Sequence, residues 1–377
     1  MNRDELLQEL KSTVIGDKCQ SAKQDLYALL RERKRAFGQK LVEQFEKLCE
    51  LYGEQDLEEY AYVSISFLRT GILNGTYDWY MVLLDKDGSL DRHDRSIAFS
   101  MKEFFTPLDS LDESLKKLME PYVFILNDCD VEKIKLEAFQ FFVPCLYMMG
   151  CYAFRNIMEN ESYCRLPKAK LFRILFGEYN DKCQIVHMKN GLHEKNEGFM
   201  ERLYSKTEEN GFTSPEFQFI DLRNFEFIDE CIAYKGFLYG NFSGARFVNQ
   251  QILSCNFIGA NFHKTLIKDS NFYFNVCHDA DFSHSVLELT TIAYCHFEDG
   301  TIEEEHVTPG LGAVNFDGAV IRNVEFANCF LSGCHFELAT LENVNFNESV
   351  MNGCVFRKED LDTIVLSEEQ RKQIILV

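Results

Sequence analysis

Bases, proline and tryptophan are all scarce in this chain: 39 Lys and Arg face 60 Asp and Glu, and 377 residues hold six Pro and one Trp. The net charge of -21 argues against a protein that grips nucleic-acid phosphates directly. The shortage is uneven, since residues 1–210 hold 36 acids against 29 bases and residues 211–377 hold 24 against 10. None of the 14 cysteines forms a Cys-x-x-Cys pair, so the commonest zinc and dithiol motifs are missing. No Gly-rich phosphate loop, nucleophile elbow or His-Glu-x-x-His motif is present either. The most apolar stretch, Ala138 to Phe154, is short and holds Gln140, Pro144 and Gly150, which predicts a buried helix and not a membrane span. Behind Met1-Asn2-Arg3-Asp4-Glu5 there is no apolar run. The expectation is therefore no secretory signal, a cytoplasmic location and reduced thiols.

What is abundant is a period of five. Phe217, Leu222, Phe227, Ile232, Phe237, Phe242, Phe247, Ile252, Phe257, Phe262, Ile267 and Phe272 continue through Cys277 to Phe282, Leu287, Ile292, Phe297 and Ile302. A second row, one residue out of phase, runs from Phe316 through Ile321, Phe326, Leu331, Phe336, Leu341, Phe346, Met351 and Phe356 to Leu361 and Leu366. A helix repeats at 3.6 and a strand at two, so neither gathers every fifth side chain on one surface; a solenoid does. Two positions before each centre the residue is usually small, as at Ala245, Cys255, Ala260, Cys295, Ala319, Cys329, Cys334 and Cys354. One large and one small inward residue per step is what a narrow core holds. Between them stands Asn or Asp, as at Asn241, Asn256, Asn261, Asp281, Asn315 and Asp360.

This small, Asn/Asp, Phe/Leu, x, x unit resembles the pentapeptide-repeat family over residues 215–366. The resemblance implies a right-handed quadrilateral β-helix with one pentapeptide per wall, so that residues twenty apart stack. In the second row Phe alternates with Ile, Leu or Met, which places Phe columns on opposite walls. The expected fold class is multidomain α + β: a mainly α-helical domain (1–210), a pentapeptide-repeat solenoid (211–366) interrupted by a loop near 303–313, and a short C-terminal capping helix (367–377). Fourteen residues separate Ile302 from Phe316, which reads as a slipped coil carrying a surface loop at Thr308-Pro309-Gly310.

Ahead of the repeats a helical period predicts a long helix over 21–52, through Leu26, Leu30, Phe37, Leu41, Phe45 and Leu48. Further helices are expected over 2–14, 56–73, 95–105, 110–120, 131–158 and 195–208, the last sealing the first coil with Phe199 and Leu203. Thr76 to Leu84 suits strand or helix. At the other end Ser367-Glu368-Glu369-Gln370 reads as a capping box. Ile374, Ile375 and Leu376 are then available as a monomer cap or, as the resemblance to gyrase-targeting members implies, as a homodimer contact.

Candidate chemistry is thin. Arg31, Arg33, Lys34, Arg35 and Lys40 form the one basic cluster, more simply a solvated helix face than a binding patch. Asp85-Lys86-Asp87-Gly88 fails as a calcium loop because Leu83 would take the first position, leaving a turn. His263, His278, His284 and His296 are not twenty apart, so none is expected to stack on another as a neighbour, and His187 and His193 are six apart. No cofactor or metal is expected. An acidic partner-binding patch is expected from Asp279 over Asp299 with Glu298, Glu303, Glu304 and Glu305. Against it, Lys268 falls over Glu288, Arg322 over Glu342 and Glu337 over Arg357, which neutralises other columns.

The expected function is a non-enzymatic protein interaction scaffold on an acidic rod, its partner a protein and not a nucleic acid or membrane. The resemblance implies an alternative, in which the rod mimics DNA and occupies DNA gyrase or another type II topoisomerase. An enzyme in the helical domain is the remote third reading.

Overall fold

A computed structural model describes residues 2–53, 59–88, 94–191, 197–205, 215–300 and 310–377. The chain divides into two compact units, Met1–His187 and Met188–Val377.

In the first unit, helices surround a single sheet. The stripe from Leu26 to Leu48 is buried as expected, but the helix over 21–52 is two helices, Gly16–Glu32 and Lys34–Tyr52. Arg33 breaks it with φ -96 and ψ 18. Five strands follow: β1 (Tyr60–Phe67), β2 (Asp78–Leu84), β3 (Ser96–Ser100), β4 (Lys168–Glu178) and β5 (Cys183–Lys189), in the order β3-β2-β1-β4-β5. Strand β1 runs antiparallel to β2 and parallel to β4. This sheet corrects the helices expected over 56–73 and 95–105 and makes Thr76 to Leu84 mainly strand. Val63, Ile65 and Phe67 are buried at a period of two, as are Trp79, Met81 and Leu83, and that alternation decides for strand. Trp79 centres the core, 5.8 Å from the Phe37 ring and 5.4 Å from Phe176. The pattern over 131–158 is likewise split, into Asp128–Gln140 and Val143–Phe154, with Pro144 in the first turn of the second helix. Among the described residues no helix is long and apolar enough to cross a membrane.

The second unit is a parallel coil with a twenty-residue register. Phe227 pairs with Phe247, Ile267 with Leu287 and Ile321 with Leu341. Four walls result, because centres five apart return to the same column after four steps. Phe237, Phe257, Phe326 and Phe346 are at most 1% exposed, so the large residues do fill the interior. The Asn/Asp slot shapes the turns: the Oδ1 atoms of Asn241, Asn256, Asn261, Asp281 and Asn315 each accept a hydrogen bond from the N–H two residues on. Corners between walls lie in the left-handed region, which suits Asn249, Asn323, Asn343 and Gly333.

The expected slipped coil is instead an excursion. Asp281 bridges to Asn315 and Ile292 pairs with Phe326, each 34 residues on, so the chain spends fourteen residues beyond one coil before Val314; most of the loop expected near 303–313 lies outside the described residues. Phe316 takes the place over Phe282 that a plain count gives to Ile302, which lies outside the described residues.

Both ends of the coil are covered from within the second unit. Helix Glu197–Tyr204 adds fully buried Phe199 and Leu203 to the core, and the Phe199 ring meets Phe217 edge-on at 6.2 Å. At the other end Ser367 and Gln370 form the expected capping box of helix Glu368–Gln373. The Gln370 amide also donates to the carbonyls of Phe346 and Ser349, which closes the last turn.

Candidate functional site

On the wall that carries Phe247, Ile267, Leu287 and Ile321, the outward residue after each centre is charged from Lys268 onward. Lys268 faces Glu288 at 3.6 Å, Glu288 faces Arg322 at 4.0 Å, and Arg322 faces Glu342 at 3.0 Å. Four alternating charges form one ladder along the axis. On the same wall Arg246 meets Glu226 at 3.4 Å. Exposed pairs of this kind add little stability but cancel the field that their carboxylates would project. The expected Glu337 to Arg357 pairing does not form. Arg357 folds onto Asp360 at 2.7 Å, and Glu337 receives His335 Nδ1 at 3.0 Å.

The acidic patch expected at the excursion is only partly a surface. Asp279 is 6% exposed, and its N–H donates to the Gly312 carbonyl at 2.8 Å. Glu298 accepts from His296 Nδ1 through its carboxylate at 2.8 Å and from His278 Nδ1 through its backbone carbonyl at 2.6 Å. Asp299 is half-buried beside them, while Glu303, Glu304 and Glu305 lie outside the described residues. Burial pushes His278 below the usual imidazole range, against the opposing pull of Glu298.

Two pairs of histidines meet edge to face without stacking. His263 and His284 approach to 5.3 Å between ring centroids, and His278 and His296 to 6.1 Å. Offsets of 21 and 18 residues place them diagonally across adjacent coils, close enough for rings that lean over the corners. Among the described residues no group of three or more His, Cys, Asp or Glu could hold a metal ion. His187 is buried in the first unit, its Nε2 3.0 Å from the Tyr163 hydroxyl; His193 lies outside the described residues. At the suspected calcium loop Asp85 Oδ1 accepts from the Asp87 N–H, which makes a turn.

The basic cluster ties parts of the first unit together. Arg33 donates to the Glu103 carbonyl and lies 4.8 Å from the Phe104 ring, Lys40 pairs with Glu103 at 2.8 Å, and Lys34 sits 4.5 Å from the Tyr152 ring. Arg31 and Arg35 remain exposed on the helix surface. At the chain end Ile374 packs on the core, whereas Ile375 and Leu376 are 52% and 37% exposed in a short strand paired with Val355–Phe356.

Outward apolar side chains escaped the sequence reading, although the five-residue phase already places them outside. Phe274, Tyr294 and Phe330 are 54%, 48% and 42% exposed around a single corner of the coil.

Residues 319–358 match the family model "Pentapeptide repeats" in eight copies. Solved structures that match include Rfr23 from the cyanobacterium Cyanothece 51142, at 11% identity over 37% of this chain and 93% of that one, with a TM-score of 0.25. Full-length QnrB1, a plasmid-mediated fluoroquinolone resistance protein, matches at 11% over 40% and 84%, with a TM-score of 0.20. HetL, involved in heterocyst differentiation regulation in the cyanobacterium Nostoc, matches at 12% over 43% and 98%, with a TM-score of 0.15. At such scores the superpositions carry no argument of their own. No curated protein matches the chain. Residues 319–358 are thus eight pentapeptide repeats, and the twenty-residue register of the coil runs back from them to Asp221.

Proposed function

We propose that the chain is a non-enzymatic protein-binding scaffold, in which the coil holds outward side chains at fixed spacing for a protein partner. The observation that carries this reading is the corner at Phe274, Tyr294 and Phe330. Large apolar side chains remain exposed there on a core whose own columns are already filled. A rigid stack loses little entropy when it binds, so exposed rings held at one spacing favour recognition of another protein surface.

DNA mimicry toward a type II topoisomerase is the second reading, and the excess of 24 acids over 10 bases in residues 211–377 is the feature in its favour. The Lys268, Glu288, Arg322 and Glu342 ladder weighs against it, because a phosphate-like surface needs uncompensated carboxylates in rows. A gyrase supercoiling assay with micromolar full-length protein, with and without a quinolone, separates the two. Protection or inhibition would displace the scaffold reading. Affinity capture with the full-length chain should retain a specific protein, and a chain that retains none loses the main support for a scaffold. A reaction in the first unit is the remaining alternative, and heat released on titrating nucleotides or divalent metals would bring it forward.

A further inference from the structure

The exposed corner has a definite shape and sign, and on the scaffold reading above it names the chemistry of its partner. The Phe274 and Tyr294 rings stack on adjacent coils, 5.0 Å between centroids and 10° from parallel. On the next wall, Val276, His296, Phe330 and Val350 follow one another as bridge partners in a single outward column. His296 and Phe330 stack at 4.6 Å and 6°, and Val350 is 37% exposed. The strip spans four coils, or about 14 Å at the usual strand spacing.

The repeat itself does not call for these side chains. Phe274 and Tyr294 occupy left-handed corners, with φ of 58 and 55, a backbone that Asn328 meets in the same column with a short polar side chain; Tyr234, Tyr239 and Leu289 show that the coil admits large side chains at such corners without requiring them. Stacking within each pair is a gain inside the fold, but it leaves the outer ring surfaces in water, where a partner can cover them.

The surroundings fix the sign. Between Lys268 and Arg357 the sequence holds fourteen acids and a single base, Arg322, and that base is engaged by Glu288 and Glu342 on another wall. Glu348 continues the corner column of Phe274 and Tyr294, and Glu325 lies on the wall that adjoins it. Among the described residues neither has a Lys or Arg within ion-pair distance. Such a strip repels acidic chains, anionic lipid and nucleic acid, and a second copy of this acidic chain as well.

We propose that this strip docks a basic, amphipathic segment of a partner protein, in which Lys or Arg is interleaved with apolar side chains. The apolar groups would cover Tyr294 and Phe330, and the bases would face Glu325 and Glu348.

The test uses the full-length chain and a labelled fourteen-residue peptide of Lys, Leu and Trp, read by fluorescence anisotropy, beside the same peptide with Glu for Lys. Tyr294→Ser combined with Phe330→Ser should weaken the Lys peptide by about tenfold or more, as loss of central aromatic anchors does. Leu338→Ser makes a similar change at a residue 63% exposed near the opposite corner and should leave binding within about twofold. Glu325→Gln with Glu348→Gln should weaken it about threefold and flatten its salt dependence. Equal weakening by Leu338→Ser, or equal binding of the Glu peptide, would reduce the effect to diffuse attraction and overturn the site. Self-association abolished by the Tyr294 and Phe330 changes would overturn the stated occupant in favour of a second copy. If a partner is still captured but these variants leave it untouched, this face fails while the scaffold reading stands.

Discussion

Phe282 and Phe316 are 34 residues apart in sequence, yet their ring centroids lie 5.7 Å apart in one column of the coil. On either side Phe262 meets Phe282 at 4.5 Å and Phe316 meets Phe336 at 4.9 Å, so the excursion interrupts the chain but not the ladder. Phe316→Ala should therefore destabilise the coil as much as Phe336→Ala, by about 3–5 kcal/mol, because a one-dimensional stack has few ways to collapse around a void. A Phe282/Phe316 double-mutant cycle should give a coupling of about 0.5–1.5 kcal/mol. Urea titration measures both, and a Phe316→Ala protein that unfolds at the wild-type midpoint would mean the ladder does not cross the excursion.

The charged ladder makes a contrasting prediction. Glu288 lies between Lys268 and Arg322 with all three side chains partly in water, so Glu288→Gln should cost no more than about 1 kcal/mol, and 1 M salt should erase most of that difference. The same substitution leaves Lys268 without its carboxylate neighbour and, by removing one negative charge from a chain of net charge -21, should slow migration toward the anode slightly in a native gel. A loss of several kcal/mol would show that this wall is held by ion pairs and not by its interior.

The five-residue period was legible because each wall repeats the same volume problem, and a solenoid solves it identically at every step. The first unit is harder to read. Val63, Ile65 and Phe67 alternate as a strand, but Tyr60, Val63 and Phe67 also satisfy a helical spacing, and only pairing with β2 and β4 decides between them. The excursion was legible as an irregular step, whereas its size needed the partner of Asp281. The docking strip could have been read from the phase alone, since Phe274 and Tyr294 are each two residues beyond an inward centre. What hid it was that outward residues in a repeat are usually read by charge.

Asn275 and Cys277 exchange roles within one coil. The slot two before a centre is normally small and the centre large, yet here the amide stands in the small slot and the thiol in the large one, 0% and 1% exposed. Total volume is thereby kept, and the amide is satisfied: Oδ1 accepts from the Cys255 N–H at 2.8 Å and Nδ2 donates to the Ile252 carbonyl at 3.1 Å. Cys277→Phe alone should overpack the coil and cost about 1–3 kcal/mol. Combined with Asn275→Ser, which restores the ordinary pattern, it should recover at least half of that loss. Asn275→Ala alone should cost about 1–3 kcal/mol by orphaning the Cys255 N–H. Simple additivity in thermal melts would show that the two sites do not share space.

The thiols give a pH dependence with a definite sign. Burial pushes Cys255 and Cys354 up to about 12, from an ordinary value of 9.0, and pushes Cys277, Cys329 and Cys334 up as well. A thiol whose folded pKa is raised stays protonated in the coil while the unfolded chain ionises, so its stabilising contribution is complete below pH 9 and declines as pH rises toward 12. Between those limits the unfolded state binds fewer protons, and stability must fall with each step in pH. The melting temperature of the coil should thus be flat from about pH 7 to 8.5 and drop steeply above 9, with several thiols acting together. Cys129, Cys164 and Cys183 are exposed in the first unit and should react with a thiol reagent at pH 8 in the native protein. The buried thiols of the coil should react only after denaturation, so native labelling should reach a minority of the fourteen. Replacing Cys255 and Cys354 with Ala should flatten the alkaline limb while costing packing at neutral pH. An alkaline limb that keeps its full slope in that double variant would remove Cys255 and Cys354 as contributors to the transition.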